Sequence, residues 1–178
     1  MSNVRRKVFI SYHHADEEEV NAFIEKFDDI EDVFICRALG AGMNDDVVNS
    51  TNTDYVMRRI RELYLKDSTV TIVLIGKCTK TRRYVDWEIQ ASLRNGGTVK
   101  PNGLLGIRLP SYDSKGYPNR LNLNLKQYDE QEDCYARVIG YPTKQTLINY
   151  IEDAFQAREK RKDLIVNPRD KFAHNRSC

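Results

Sequence analysis

No run of this sequence approaches the roughly 20 consecutive apolar residues that a membrane-spanning helix needs. The opening Met1-Ser-Asn-Val-Arg-Arg-Lys also lacks the apolar core of a signal peptide. A cytoplasmic chain without a membrane partner is therefore expected. Neither sign of charge is in excess: 28 Lys and Arg stand against 26 Asp and Glu. Nucleic-acid binders carry clustered basic charge, so no nucleic-acid partner is expected. Cysteine is scarce, and Cys36, Cys78, Cys134 and Cys178 are widely spaced. That spacing excludes the paired Cys and His pattern of a zinc module. It suggests four free thiols in a reducing compartment. There is no internal repeat, and no spacing suggests a metal ligand set.

What is present alternates between strand and helix. Lys7-Val-Phe-Ile-Ser-Tyr12 reads as a short buried strand. Asp16 and the acidic Glu17-Glu-Glu19 then open a helix, with Val20, Phe23, Ile24 and Phe27 on one face. Val33-Phe-Ile-Cys36 is a second apolar run. A polar loop with Gly40 and Gly42 follows, from Arg37 to Asn52, long enough to serve as a lid or an interaction surface. Thr53 is placed to cap the next helix. Thr69-Val-Thr-Ile-Val-Leu-Ile75 is continuously apolar, as in a central parallel strand buried on both faces. A helix over 82–94 stops at Asn95-Gly-Gly97, and Leu104–Leu109 forms a further strand. Beyond Pro110 the pattern weakens, with minor strand candidates at Leu121–Leu125 and Ala136–Ile139. A last helix starts at Pro142 and Thr143.

This alternation predicts an α/β fold: a flavodoxin-like, doubly wound sheet of about five mainly parallel strands, with helices on both faces. Residues 1–160 are expected to form a single domain, and 161–178 a charged tail that packs poorly. In such sheets, ligands bind beyond the carboxyl ends of the strands, where strand order reverses. The segments after Tyr12 and after Ile75 are therefore where chemistry is expected.

After the first strand come Ser11-Tyr-His-His-Ala-Asp16. The adjacent histidines lack the i, i+4 spacing that would aim both at one metal. Either they belong to a polar turn, or Tyr12 and His13 form one wall of a cleft. On the helix after the third strand, Val85, Ile89 and Leu93 face the core, and Tyr84 and Glu88 share an adjoining stripe. Asp86 has Arg82 and Arg83 one turn earlier and reads as a surface ion pair. Glu88 has no local cation: it reads either as a plain solvated helix residue or as a carboxyl beside the apolar face, whose pKa partial burial would raise. Trp87, the one tryptophan, is expected to pack rather than bind. Arg82 and Arg83 read as solvated charge, with phosphate contact as the alternative.

Val8-Phe-Ile-Ser-Tyr-His-His-Ala-Asp16 resembles the opening strand and loop of TIR domains. Thr81-Arg-Arg-Tyr-Val-Asp-Trp-Glu88 resembles their aromatic-x-x-x-Glu signature, with Tyr84 where many TIR enzymes carry tryptophan. With Asn52-Thr-Asp-Tyr55, the pattern is most similar to the ThsB-type proteins of Thoeris anti-phage defence. The resemblance implies a TIR-like domain that cleaves the nicotinamide–ribose bond of NAD, and release of a cyclic ADP-ribose isomer as a messenger. It implies NAD as substrate with no cofactor or metal, self-assembly, and a downstream effector reached through a diffusible nucleotide. By position, Glu88 would be the catalytic carboxylate. Ser11, Tyr12, His13, Arg37, Ala38 and Tyr84 would line the substrate cleft.

Two other readings stay open on sequence: a non-catalytic TIR-type interaction module, and a nucleoside deoxyribosyltransferase-like enzyme that also sets a glutamate against ribose. A phospho-receiver is disfavoured because Gly76-Lys77, not an aspartate, follows the central strand. A flavodoxin proper is disfavoured because the first loop lacks a Ser/Thr run for phosphate.

Overall fold

The computed structural model describes residues 4–40 and 45–178. Gly42, from the loop expected over 37–52, lies outside them. Five strands form one parallel sheet: β1 (Arg6–Ser11), β2 (Phe34–Leu39), β3 (Val70–Ile75), β4 (Gly103–Arg108) and β5 (Arg137–Ile139). Their order is β2-β1-β3-β4-β5, the flavodoxin-like order. All six residues of β3 are buried, as its unbroken apolar run predicts. Each fully buried aliphatic side chain there is worth roughly 1.5–3 kcal/mol relative to exposure.

Period-two alternation sorts the strand side chains between two helical layers. Val8, Ile10, Ile72 and Leu74 face α1 (Glu17–Ile24) and α6 (Lys144–Lys160), which supply Val20, Phe23, Leu147 and Ile151. Phe9 faces the other layer, made by α3 (Thr53–Ile60) and α4 (Arg83–Ser92), where it meets Val56, Met57, Ile60 and Trp87. Trp87 is thus a core residue, as expected. Val73 and Ile75 pack with Val85, Ile89 and Leu121. Among the described residues, no helix is long and apolar enough to cross a membrane.

Several local expectations are corrected. Strand β2 runs on through Arg37 and Ala38 to Leu39, and α2 (Asp45–Val48) occupies part of the expected loop. Arg37 and Ala38 are therefore strand residues, not the start of the loop. The cap of α3 is Asn52, whose Oδ1 accepts from Tyr55 N at 3.1 Å, and Thr53 is the first helical residue. Leu121–Leu125 alternates like a strand, yet α5 (Asn119–Asn122) forms there after Pro118. The buried Asn124 side chain explains the polar position: it donates to Arg120 O at 2.9 Å and to Val166 O at 2.8 Å.

Segment 166–178 is not loose; it runs back along α4. Arg120, itself buried, donates to Asp86 Oδ1 at 2.8 Å and to Pro168 O at 2.6 Å. Asp86 Oδ2 accepts from Phe172 N at 2.9 Å, and Trp87 Nε1 donates to Phe172 O at 2.7 Å. Asp86 is thus a buried ion-pair partner of Arg120, not a surface partner of Arg82 and Arg83. The same return joins Cys178 to Cys78 in a disulfide, with Cα atoms 5.1 Å apart. Only Cys36 and Cys134 are free thiols, which corrects the expectation for Cys78 and Cys178.

Candidate active site

The carboxyl ends of β1 and β2 and the first turns of α4 enclose a cavity of about 300 Å³. Glu88 lies at its base. Helical register explains why: Val85 and Ile89 anchor α4 on the sheet, and Glu88 then points at the strand ends. Its side chain approaches the backbone of Gly40, the residue after β2. A Cβ at position 40 would lie 2.5 and 2.7 Å from the two Glu88 carboxyl oxygens. Gly40 is held in place by its own N–H, which donates to Ile10 O at 2.6 Å. Absence of a side chain at 40 is thus what lets the carboxyl reach the sheet edge.

Glu88 is only 2% exposed. Burial pushes its carboxyl up to about 8, from an ordinary 4.5, and the facing Ser11 hydroxyl opposes the rise. No ordinary hydrogen bond joins the two. Glu88 Oε2 and Ser11 Oγ are both buried and without a hydrogen-bond partner among the described residues. Unpaired buried polar atoms are costly and uncommon. Two of them facing each other at the base of an open cavity leave hydrogen-bonding capacity for a ligand.

The walls come from three segments. Tyr12 and His13 follow β1, with His14 at the rim; the two imidazoles meet edge to face at 5.1 Å. Burial raises the Tyr12 phenol, aided by the negative charges of Glu17 and Glu88. Burial lowers the His13 imidazole, aided by the positive Arg82 and by His14. Arg82, Tyr84 and Val85 supply the helix side. Tyr84 packs edge to face on Trp87 at 5.6 Å, and its hydroxyl accepts from Arg83 at 2.9 Å. Arg82 donates to Thr81 Oγ1 and to Arg176 O, both at 2.8 Å. Asn175, from the returning segment, closes the third side. Beneath the first wall, Thr79 Oγ1 accepts from Gly76 N at 2.8 Å and donates to Asp16 at 3.4 Å, tying the loops after β1 and β3 together.

The structure therefore brings together Ser11, Tyr12, His13, Tyr84 and Glu88. It does not bring in Arg37 or Ala38. Arg37 is exposed at the irregularity in β2 and pairs with Asp67, and Ala38 packs beside the Phe9 and Trp87 cluster. The three extra strand residues, Arg37 to Leu39, shift the edge of the cavity to Gly40. Sequence reasoning passed over His14, Gly40 and Val85, and Asn175 had no local signal at all. Among the described residues, no group of three or more His, Cys, Asp or Glu could hold a metal ion.

A parallel sheet in this order, with a buried glutamate from the helix after the central strand set against the end of the first, defines a TIR-like α/β domain. The chain belongs to the family described as Thoeris protein ThsB, TIR-like domain, whose model matches residues 9–114. That span runs from the second half of β1 through β4 and includes every cavity residue except Asn175. No curated protein matches the sequence.

Proposed function

We propose that this protein cleaves the nicotinamide–ribose bond of NAD, with Glu88 as its catalytic carboxylate, and releases a cyclic ADP-ribose isomer as a signal in anti-phage defence. The observation that carries this reading is the buried Glu88 carboxyl with an unpaired oxygen at the base of the cavity. Nicotinamide leaves as a neutral amine, so the leaving group needs no proton. The transition state has oxocarbenium character, as in glycoside cleavage. An ionised carboxylate beside the ribose stabilises that cation and accepts a hydroxyl hydrogen bond.

At rest near neutral pH, Glu88 holds its proton, as a carboxyl raised to about 8 does. The nicotinamide ring of NAD is cationic. Docking a cation against Glu88 favours the ionised form, so binding itself recruits the charge the reaction needs. Tyr84 and Tyr12 offer aromatic faces for the ring and the ribose. Ser11 offers Glu88 a hydrogen bond once it is ionised. Arg82 is the cavity's cation for the phosphates. Product then depends on what attacks C1′ of the ribose: water gives the linear sugar nucleotide, and an atom of the same molecule gives the cyclic one. A largely apolar cavity from which the bound nucleotide displaces water favours the second.

The deciding experiment incubates concentrated protein with NAD, alone and with lysate of phage-infected cells, and identifies products by mass spectrometry. The expected product has the mass of cyclised ADP-ribose and is absent for Glu88→Gln, which retains the fold. Full activity in Glu88→Gln would remove Glu88 from the chemistry. No NAD loss under either condition would favour a TIR-type assembly module, and deoxynucleoside turnover a transferase.

A further inference from the structure

The segment beyond Phe172 is attached in a way that ties it to the cavity. Up to Phe172, the chain is held by buried groups: Asp86 and Arg120 grip residues 168–172, and Asn124 binds Val166. From Ala173 to Cys178, every residue is exposed. Four hydrogen bonds hold this stretch: Arg83 to Ala173 O, Arg83 N to Asn175 Oδ1, Arg82 to Arg176 O, and Arg176 N to Thr81 O. The Cys78–Cys178 disulfide then clamps its end. Cys178 is exposed and Cys78 half-buried, so a small thiol has access. While clamped, the stretch narrows the cavity with Asn175 and holds the Arg82 guanidinium on the carbonyl of Arg176. A cavity of about 300 Å³ is at the low end for small-molecule sites, and a dinucleotide is a large ligand.

We propose that Cys78 and Cys178 form a thiol–disulfide latch that holds residues 173–178 across the Glu88 cavity. Reduction by a low-molecular-weight thiol frees the stretch, releases Arg82 and admits a phosphate-bearing nucleotide. The nucleotide's identity rests on the reading above; the latch does not. A thiolate attacks one sulfur of the disulfide, forming a mixed disulfide and expelling the other cysteine as thiolate, which takes a proton. A second thiol resolves the mixed disulfide. In sum, two small-molecule thiols are oxidised to their disulfide, and the protein disulfide is reduced to two thiols. Because residues 166–172 keep their buried anchors, the release is local.

The test compares the full chain, oxidised and treated with dithiothreitol, with Cys178→Ser. Hydrogen exchange read by mass spectrometry should be at least about tenfold faster at the Arg176 amide, which donates to Thr81 O, in the reduced and variant proteins, and unchanged over 166–172. Carbethoxylation of His13 by diethyl pyrocarbonate should quicken in the same samples, while that of exposed His14 stays constant. NAD consumption should rise by about tenfold on reduction, a change of one decade in site availability. Unchanged exchange at the Arg176 amide would overturn the latch. So would a freed stretch with measurable but equal NAD consumption in both states. If the stretch is freed and His13 opens, yet neither state consumes NAD, the latch stands and the Glu88 reading fails.

Discussion

Glutamine at position 88 keeps the shape of a protonated glutamate but cannot lose a proton, so the pair isolates one ionisation. In the folded chain, the Glu88 carboxyl is raised to about 8 from an ordinary 4.5. Between these values the folded state keeps a proton that the unfolded state has released. Stability then falls as pH rises, because the folded state binds more protons. Its slope is about 1.4 kcal/mol per pH unit. Below pH 4.5 both states are protonated, and the contribution is complete. Above pH 8 both are ionised, and it is lost. Across the whole window, the wild type should lose on the order of 5 kcal/mol relative to Glu88→Gln. The assay is urea unfolding of both proteins from pH 4 to pH 9, taking the difference at each pH. All other groups titrate alike in the two proteins and cancel. A difference that stays constant with pH would show that Glu88 ionises alike in the folded and unfolded chains, and would refute the claim that burial holds its proton.

Two further substitutions separate architecture from chemistry. Arg120→Ala leaves Asp86 buried without its cation and removes the grip on residues 167–170; a loss of about 3–5 kcal/mol is expected in chemical unfolding. Asp86→Asn should cost less, because the amide can still accept from Phe172 N. Gly40→Ala places a methyl against the Glu88 carboxyl. It should cost about 1–3 kcal/mol in thermal unfolding, yet nearly abolish NAD consumption, because the carboxyl must turn away. A Gly40→Ala protein with full activity would mean that the carboxyl position seen here is not the working one.

The parts of this fold carried by local pattern were readable from the chain. The unbroken run of β3 and the i, i+4 spacing of Val85, Ile89 and Leu93 define their own environments. Glu88 was singled out by its place beside an apolar stripe with no cation one turn away, but that pattern also fits a solvated glutamate, and its burial depends on Gly40 and Ser11 at the ends of other strands. What failed depended on partners distant in sequence. Asp86 looked paired with Arg82 and Arg83 because those are its helical neighbours, yet its partners are Arg120 and the backbone of Phe172. Leu121–Leu125 looked like a strand because nothing local shows that Asn124 is needed to bind Val166. Cys78 and Cys178 are separated by 100 residues, and only the course of the chain between them makes them neighbours. Arg37 and Ala38 were misplaced by a strand end misjudged by three residues, where Arg37 fits into the strand only through an irregularity in pairing.

Trp87 gives the molecule an optical property. It is the single tryptophan among ten tyrosines, so emission excited at the red edge of the absorption band comes from one position. That position is 1% exposed, with its indole N–H on Phe172 O and the Lys171 ammonium 4.4 Å above the ring. Emission should therefore be blue-shifted and sensitive to whether residues 171 and 172 are seated. Tyr84, 5.6 Å away, is close enough to pass excitation to it. A nucleotide that moves Tyr84 at the cavity wall would then be seen in unlabelled protein as a change in tyrosine-sensitised emission.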